Sequence, residues 1–99
     1  LTGVEIRESG SGKTTRLDCA GLFVSIGRSP ATELFRGQLE LDEGGYIRAD
    51  ETTRTSLPGV FAVGDVRTKM VRQVVTAVGD GAAASHFVEE YLAGMDASH

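Results

Sequence analysis

The sequence predicts an α/β fold, and three observations carry that expectation. The first quarter is built from short apolar runs separated by polar Gly/Ser turns, a second short apolar run stops at Gly64-Asp65, and the last third repeats apolar residues at spacings of three and four. Short runs bounded by turn residues read as strands, and the sustained period reads as a helix with one covered face. At 99 residues the chain has room for one domain at most.

Taken in order, Val4 and Ile6 alternate with Glu5 and Arg7, which is the two-residue period of a strand. Residues 8–16, containing Ser9-Gly10-Ser11-Gly12, are expected to form a long hairpin loop, with Leu17 and Cys19 on the returning strand. The run Gly21-Leu22-Phe23-Val24-Ser25-Ile26 does not alternate, so it predicts a strand buried on both faces that ends at Gly27. Arg28-Ser29-Pro30 then breaks regular structure, and residues 32–35 have room for one turn of helix within a connector. Gly44-Gly45 between Leu39-Glu40-Leu41 and Tyr46-Ile47 predicts a short hairpin. Residues 52–58 read as a polar turn, and Val60-Phe61-Ala62-Val63 as a short buried strand. From Val71 through Val74, Val75, Val78, Ala82, Phe87, Val88, Tyr91 and Leu92 the spacing predicts one long helix stopped by Gly94, with residues 95–99 as a frayed tail. Gly79 and Gly81 lie inside it, and a close neighbouring backbone is expected to account for them.

Composition removes several classes of function. Hydrophobic residues make up 40% and charged residues 24%, so the chain is expected to fold rather than stay disordered. Ten Lys and Arg against 14 Asp and Glu give a formal charge of -4, which offers no long-range attraction to nucleic acid or anionic lipid. Cys19 is the single cysteine, which excludes an internal disulfide, a CxxC pair and a thiolate zinc cage, and fits a reducing cytoplasm. No apolar run is long enough to span a bilayer, and Leu1-Thr2-Gly3 lacks the basic and apolar regions of an export signal. The missing initial methionine points to trimming or to a piece of something longer.

Most chemically suggestive residues have a plainer reading. Gly12-Lys13-Thr14 has the lysine and hydroxyl of a phosphate-binding loop, but Arg7 stands where the first glycine belongs and a strand follows where a helix is needed. A solvated hairpin turn is expected there instead. Cys19 is expected to pack as a small hydrophobe. His86 and His99 have no second ligand at a useful spacing, so no metal site is expected. Arg67, Lys69 and Arg72 are expected to form a solvated basic loop.

The informative stretch is Thr55-Ser56-Leu57-Pro58-Gly59-Val60-Phe61-Ala62-Val63-Gly64-Asp65. Pro58-Gly59 makes the entering turn, Gly64 turns the backbone without a Cβ, and Asp65 emerges at the carboxyl end of the apolar run, where α/β sheets bind ligands. A carboxylate there can accept hydrogen bonds from sugar or polyol hydroxyls. A helix beginning shortly afterwards presents free N–H groups and partial positive charge to an electron-rich ring.

These residues resemble the C-terminal part of the bacterial-type thioredoxin reductases, the low-molecular-weight flavoprotein disulfide reductases. Leu22-Phe23-Val24-Ser25-Ile26-Gly27-Arg28-Ser29-Pro30 is similar to the family's crossover out of the pyridine-nucleotide domain. Residues 57–66 are similar to its second flavin-contact motif, and Arg72-Gln73-Val74-Val75-Thr76-Ala77 to its ring-contacting helix start. The Gly-Asp motif alone is shared by many flavin-dependent oxidoreductases, and Arg72-Gln73 narrows the match.

The resemblance implies a fragment of a two-domain FAD/NAD(P)-binding, Rossmann-like fold, with residues 1–27 as the last strands of the NADPH domain and residues 28–99 as the closing segment of the FAD domain. It implies that Asp65 bonds the FAD ribityl chain, that Gly64 allows close approach with Val66 beside it, and that Arg72, Gln73 and Val74 lie near the isoalloxazine. The helix dipole there would favour the reduced ring by about 0.3–2 kcal/mol. The implied parent carries electrons from NADPH through FAD to thioredoxin, is cytoplasmic and is a homodimer. Its CxxC and both GxGxxG loops are absent from this sequence, so this chain alone is expected to be inactive. Two other readings remain at this point. One is a related flavoprotein of the ferredoxin-NADP reductase or peroxiredoxin-reducing type, and the other is a non-enzymatic interaction module with a relic flavin site.

Overall fold

The computed structural model describes residues 1–97. An antiparallel hairpin comes first, formed by β1 (Gly3–Arg7) and β2 (Thr14–Asp18), in the register Gly3 to Asp18 and Arg7 to Thr14. β-Branched Thr14 and Thr15 pair with Arg7 and Ile6, so the return strand begins earlier than the polar composition suggested and the loop shortens to residues 8–13. The Glu8 amide donates to the Lys13 carbonyl at 2.8 Å and the Gly12 amide to the Glu8 carbonyl at 2.8 Å, while the Ser11 hydroxyl bonds the Glu8 carboxylate. Gly12 takes φ +73°, and the stretch that looked like a phosphate loop is a hairpin turn, as the spacing indicated. Cys19 is half-buried, and its amide donates to the Thr2 carbonyl at 3.2 Å.

The expected strand through Phe23 does not form. Residues 21–25 are irregular, with Phe23 99% and Ile26 91% exposed. A strand covered on both faces needs a sheet beside it and layers above and below, and the described residues supply neither. The apolar side chains of Leu22, Val24 and Ile26 are therefore displayed rather than packed.

The core lies further along, where Leu39, Ile47 and Ala62 are buried and Leu41, Ala49, Val60 and Val66 pack around them. Single bridges rather than long strands join its segments: Leu41 to Ile47, Ile47 to Arg67 and Arg54 to Phe61. The Gly44-Gly45 turn forms as expected. The Asp42 carboxylate accepts from the Gly44 and Tyr46 amides at 2.9 Å each, and Gly45 adopts φ +88°. Residues 60–63 are extended but pair on one side only, through Arg54 and Phe61 and through the Ala62 amide donating to the Thr53 carbonyl at 2.8 Å. The buried strand expected there is thus an extended edge. Glu33–Phe35 makes the single helical turn of the connector.

The last element, α1 (Val74–Ala97), starts three residues later than the apolar period and runs through Gly94 instead of ending at it. The part of the expected tail at residues 98–99, His99 included, lies outside the described residues. Only one stripe of the helix is covered. Tyr91 meets Phe61 edge-on at 6.3 Å, and Arg54 sits over the Phe87 ring at 4.8 Å while its guanidinium pairs with Glu90 at 2.8 Å. Val74, Val75 and Val78 are exposed, so the broad buried face expected from their spacing is not covered here. Nothing lies within 4 Å of where a Cβ would stand at Gly79 or Gly81, so no close backbone accounts for them among the described residues. No described helix is long and apolar enough to cross a membrane.

Candidate functional site

The site is organised by a short turn. Val63 is extended, Gly64–Val66 forms one turn of 3-10 helix, and the Arg67 amide closes it on the Gly64 carbonyl at 3.4 Å. Gly64 is buried at φ +76°, a left-handed conformation that side chains with a Cβ rarely adopt, and a Cβ there would meet Ala77 of α1 at 3.6 Å. Turn and helix are thus in direct contact, and Asp65 leaves the turn pointing outward.

Asp65 is 49% exposed at the side chain, with one carboxylate oxygen 3.6 Å from the Arg28 guanidinium. It borders two concavities. One, of about 280 Å³, lies between Arg28, Pro30, Tyr46 and Arg72, and the other, of about 360 Å³, is an open groove between Asp65 and the helix residues Gln73, Val74, Ala77 and Val78. One carboxylate therefore faces both the crossover and the helix start.

The helix start leaves backbone donors exposed beside the groove. The Gln73 carbonyl accepts from the Ala77 amide at 3.1 Å, which makes Gln73 the N-cap. Thr76 reaches back, its hydroxyl accepting from the Gln73 amide at 3.0 Å and lying 2.8 Å from the Gln73 carbonyl. No side chain among the described residues accepts from the amides of Val74, Val75 or Thr76, which have no partner within the helix either. Val74, 82% exposed, borders the same groove.

Arg72 lines the concavity beside Asp65 and also supports the turn. Its guanidinium stacks on Tyr46 at 3.7 Å and donates to the carbonyls of Asp65 and Arg67 at 3.1 Å each, so its side chain fastens the turn. Val66 is half-buried against the core, and its carbonyl accepts from the Ile47 amide at 2.9 Å. The structure thus brings Asp65, Gln73 and Val74 around one groove and Asp65, Val66 and Arg72 around the other concavity, with Gly64 buried within the turn.

The expectation of a solvated basic loop at Arg67, Lys69 and Arg72 is overturned. Arg67 is buried, and it donates to both oxygens of Asp80, at 2.8 Å from Nε and 2.7 Å from Nη2. Lys69, also buried, lies 2.7 Å from Asp80 Oδ2, which further accepts from the Gly64 amide at 2.8 Å. Charge-assisted bonds from Arg67 hold the Asp80 carboxyl well below the usual carboxylate range, against the opposing effect of burial, and Asp80 in turn raises the Arg67 guanidinium. Asp80 was not singled out from the sequence. A single acid between two glycines in a helix pattern reads as a solvent-facing residue, and its partners lie 11, 13 and 16 residues away. No group of three metal-ligating side chains occurs among the described residues, and His86 stacks edge-on against Phe87 at 5.0 Å.

Comparison with known proteins fits this arrangement. The family model described as pyridine nucleotide-disulphide oxidoreductase matches residues 2–81. A thioredoxin reductase of Streptomyces clavuligerus is 48% identical over 96 residues, covering 96% of this chain and 30% of the relative. One from Mycolicibacterium smegmatis is also 48% identical, over 97% of this chain and 31% of its own length. Among solved structures, the thioredoxin reductase of Lactococcus lactis superposes with a TM-score of 0.78 at 38% identity, over 94% of this chain and 31% of that one. The chain therefore spans about 30% of the length of the curated relatives it matches.

Proposed function

The chain belongs to the pyridine nucleotide-disulphide oxidoreductase family, and from that premise we propose that it supplies one wall of the flavin site of an NADPH-dependent thioredoxin reductase. The observation that carries this reading is the Asp65 carboxylate standing beside the uncapped amides of α1, both held by the Gly64 turn. When bound, FAD would supply reversible two-electron chemistry between a nicotinamide and a disulfide.

The residues present fit that group. The half-exposed Asp65 carboxylate is an acceptor, as the hydroxyls of a ribityl chain require, and Arg28 occupies only part of its hydrogen-bonding capacity. The amides of Val74 and Val75 are donors, as the carbonyl-bearing edge of an isoalloxazine requires, and the helix dipole favours negative charge on that edge. Val74 and Val78 offer exposed apolar surface against which a flat ring can exclude water. Gln73 holds the N-cap position through its backbone carbonyl and leaves the first amides free, and Arg72 acts on the site by holding the backbone of the turn in place.

On this reading residues 1–27 belong to the NADPH domain and residues 28–99 complete the FAD domain. The lack of element-to-element contact between the β1–β2 hairpin and α1 supports a division of that kind. The acceptor is thioredoxin, and the chain alone, without a CxxC or a glycine-rich nucleotide loop, does not turn over.

A chimera tests the proposal. This chain replaces the matching segment of the Streptomyces clavuligerus relative, and the product is assayed for bound FAD and for NADPH-dependent reduction of thioredoxin. The chimera is expected to be yellow and active, and Asp65→Ala to weaken FAD retention about tenfold or more. A chimera that folds without flavin, or whose Asp65→Ala form holds it as tightly, would contradict the reading. Reduction of ferredoxin or a peroxiredoxin partner in place of thioredoxin would transfer the proposal to a sister enzyme.

A further inference from the structure

We propose that Asp80 is a positioning residue for the flavin site, holding the Asp65 carboxylate and the amino end of α1 in fixed relation. The inference rests on the flavin reading above and adds to it a residue that does not border the groove beside Asp65.

The geometry is that of a clamp. Asp80 lies within α1, 6% exposed, and its Oδ2 accepts from the Gly64 amide, from Arg67 Nε and from Lys69 Nζ, at 2.8, 2.8 and 2.7 Å, while Oδ1 accepts from Arg67 Nη2 at 2.7 Å. Gly64 opens the turn that carries Asp65, and Arg67 directly follows its last residue. One buried carboxylate thereby ties both ends of the turn to the helix whose first amides border the groove. Arg67 passes the restraint on, donating to the Thr68 carbonyl at 2.8 Å and pairing with Glu51 at 3.3 Å. Arg72 fastens the opposite side of the turn through the Asp65 and Arg67 carbonyls.

The choice of an acid follows from the donor count. Four N–H bonds converge on Asp80 from groups that are themselves buried, and an ionised carboxylate is the side chain that accepts four without bringing a donor of its own. An asparagine would turn an N–H toward at least one of these donors. With its oxygen in the Oδ2 place the amide would set an N–H against Arg67 Nη2, and reversed it would set one against Gly64, Arg67 Nε and Lys69; either way one end of the turn loosens, and Asp65 would no longer be fixed with respect to Val74. Positioning errors of about 1 Å can cost about a hundredfold at a site built on fixed geometry.

The test uses the flavin-loaded chimera with Asp80→Asn, Asp80→Glu and the charge-compensated pair Lys69→Met/Asp80→Asn. The readouts are the FAD dissociation constant, the visible flavin bands, the flavin midpoint potential and exchange of the Gly64 amide. Asp80→Asn is expected to weaken FAD about tenfold or more, shift the flavin bands and potential and expose the Gly64 amide, with the helix content kept. Asp80→Glu is expected to recover part of the affinity. If Asp80→Asn does not fold, the compensated pair is expected to fold and show the same flavin defect. A folded variant with unchanged affinity, bands and potential overturns the inference, as does failure of both variants to fold, which would make Asp80 a stability residue alone. Asp65→Ala separates the two failures: if it weakens flavin binding while Asp80→Asn does not, only the clamp is wrong. If the unaltered chimera holds no flavin, both readings fall.

Discussion

On the proposed reading, Asp65 and Asp80 divide one task between an exposed carboxylate and a buried one. Asp65 faces the groove with spare acceptor capacity, and Asp80 spends all of its capacity on the protein. Asp80→Ala is expected to cost about 3–5 kcal/mol, because Arg67 and Lys69 would be left buried without a counter-charge, and urea unfolding of the flavin-loaded chimera would measure it. The pH dependence follows from the depressed Asp80 carboxyl. Its stabilising contribution is complete above the unfolded value of about 3.9 and is lost as pH falls below that toward the lower folded value. Acid unfolding of the parent form should therefore steepen below about pH 4, and Asp80→Asn should flatten that dependence. Asp65 was legible in the sequence because Gly-Asp ends an apolar run, a local signal. Asp80 was not, because its partners come together only when the chain folds.

At the scale of elements, local pattern identified the hairpin, the Gly44-Gly45 turn and the long helix, all of which have short-range causes: alternation, turn residues and period. It misjudged residues 21–26 and the breadth of the helix face, since a run of apolar side chains shows that cover is wanted without showing which chain provides it. Gly79 and Gly81 make this measurable. With open space at each Cβ position, Gly79→Ala and Gly81→Ala in the isolated chain should each stabilise α1 by about 1 kcal/mol, read from thermal melting of helix ellipticity. In the chimera, a loss of stability from the same substitutions would report a backbone seated closely against the helix there.

For the molecule as a whole, the radius of gyration is 20.5 Å and the longest dimension 69 Å, against about 13 Å for the radius of a compact domain of this length. The estimate of one closed domain from length is therefore not met, and the reason is physical. The small core around Leu39, Ile47 and Ala62 leaves Phe23, Ile26, Val74 and Val75 in water. The isolated chain is expected to self-associate through this surface, and Phe23→Ser with Ile26→Ser to lower the associated mass seen by light scattering. A monodisperse monomer with a sharp melting transition would oppose this.

A crystal structure of the flavin-loaded chimera tests the placement of Asp65 against the coenzyme most directly. The Asp65 carboxylate is expected within hydrogen-bonding distance of a ribityl hydroxyl, with the Val74 and Val75 amides directed at the ring. A flavin bound with Asp65 turned away onto Arg28, and the amino end of α1 facing solvent, would contradict it.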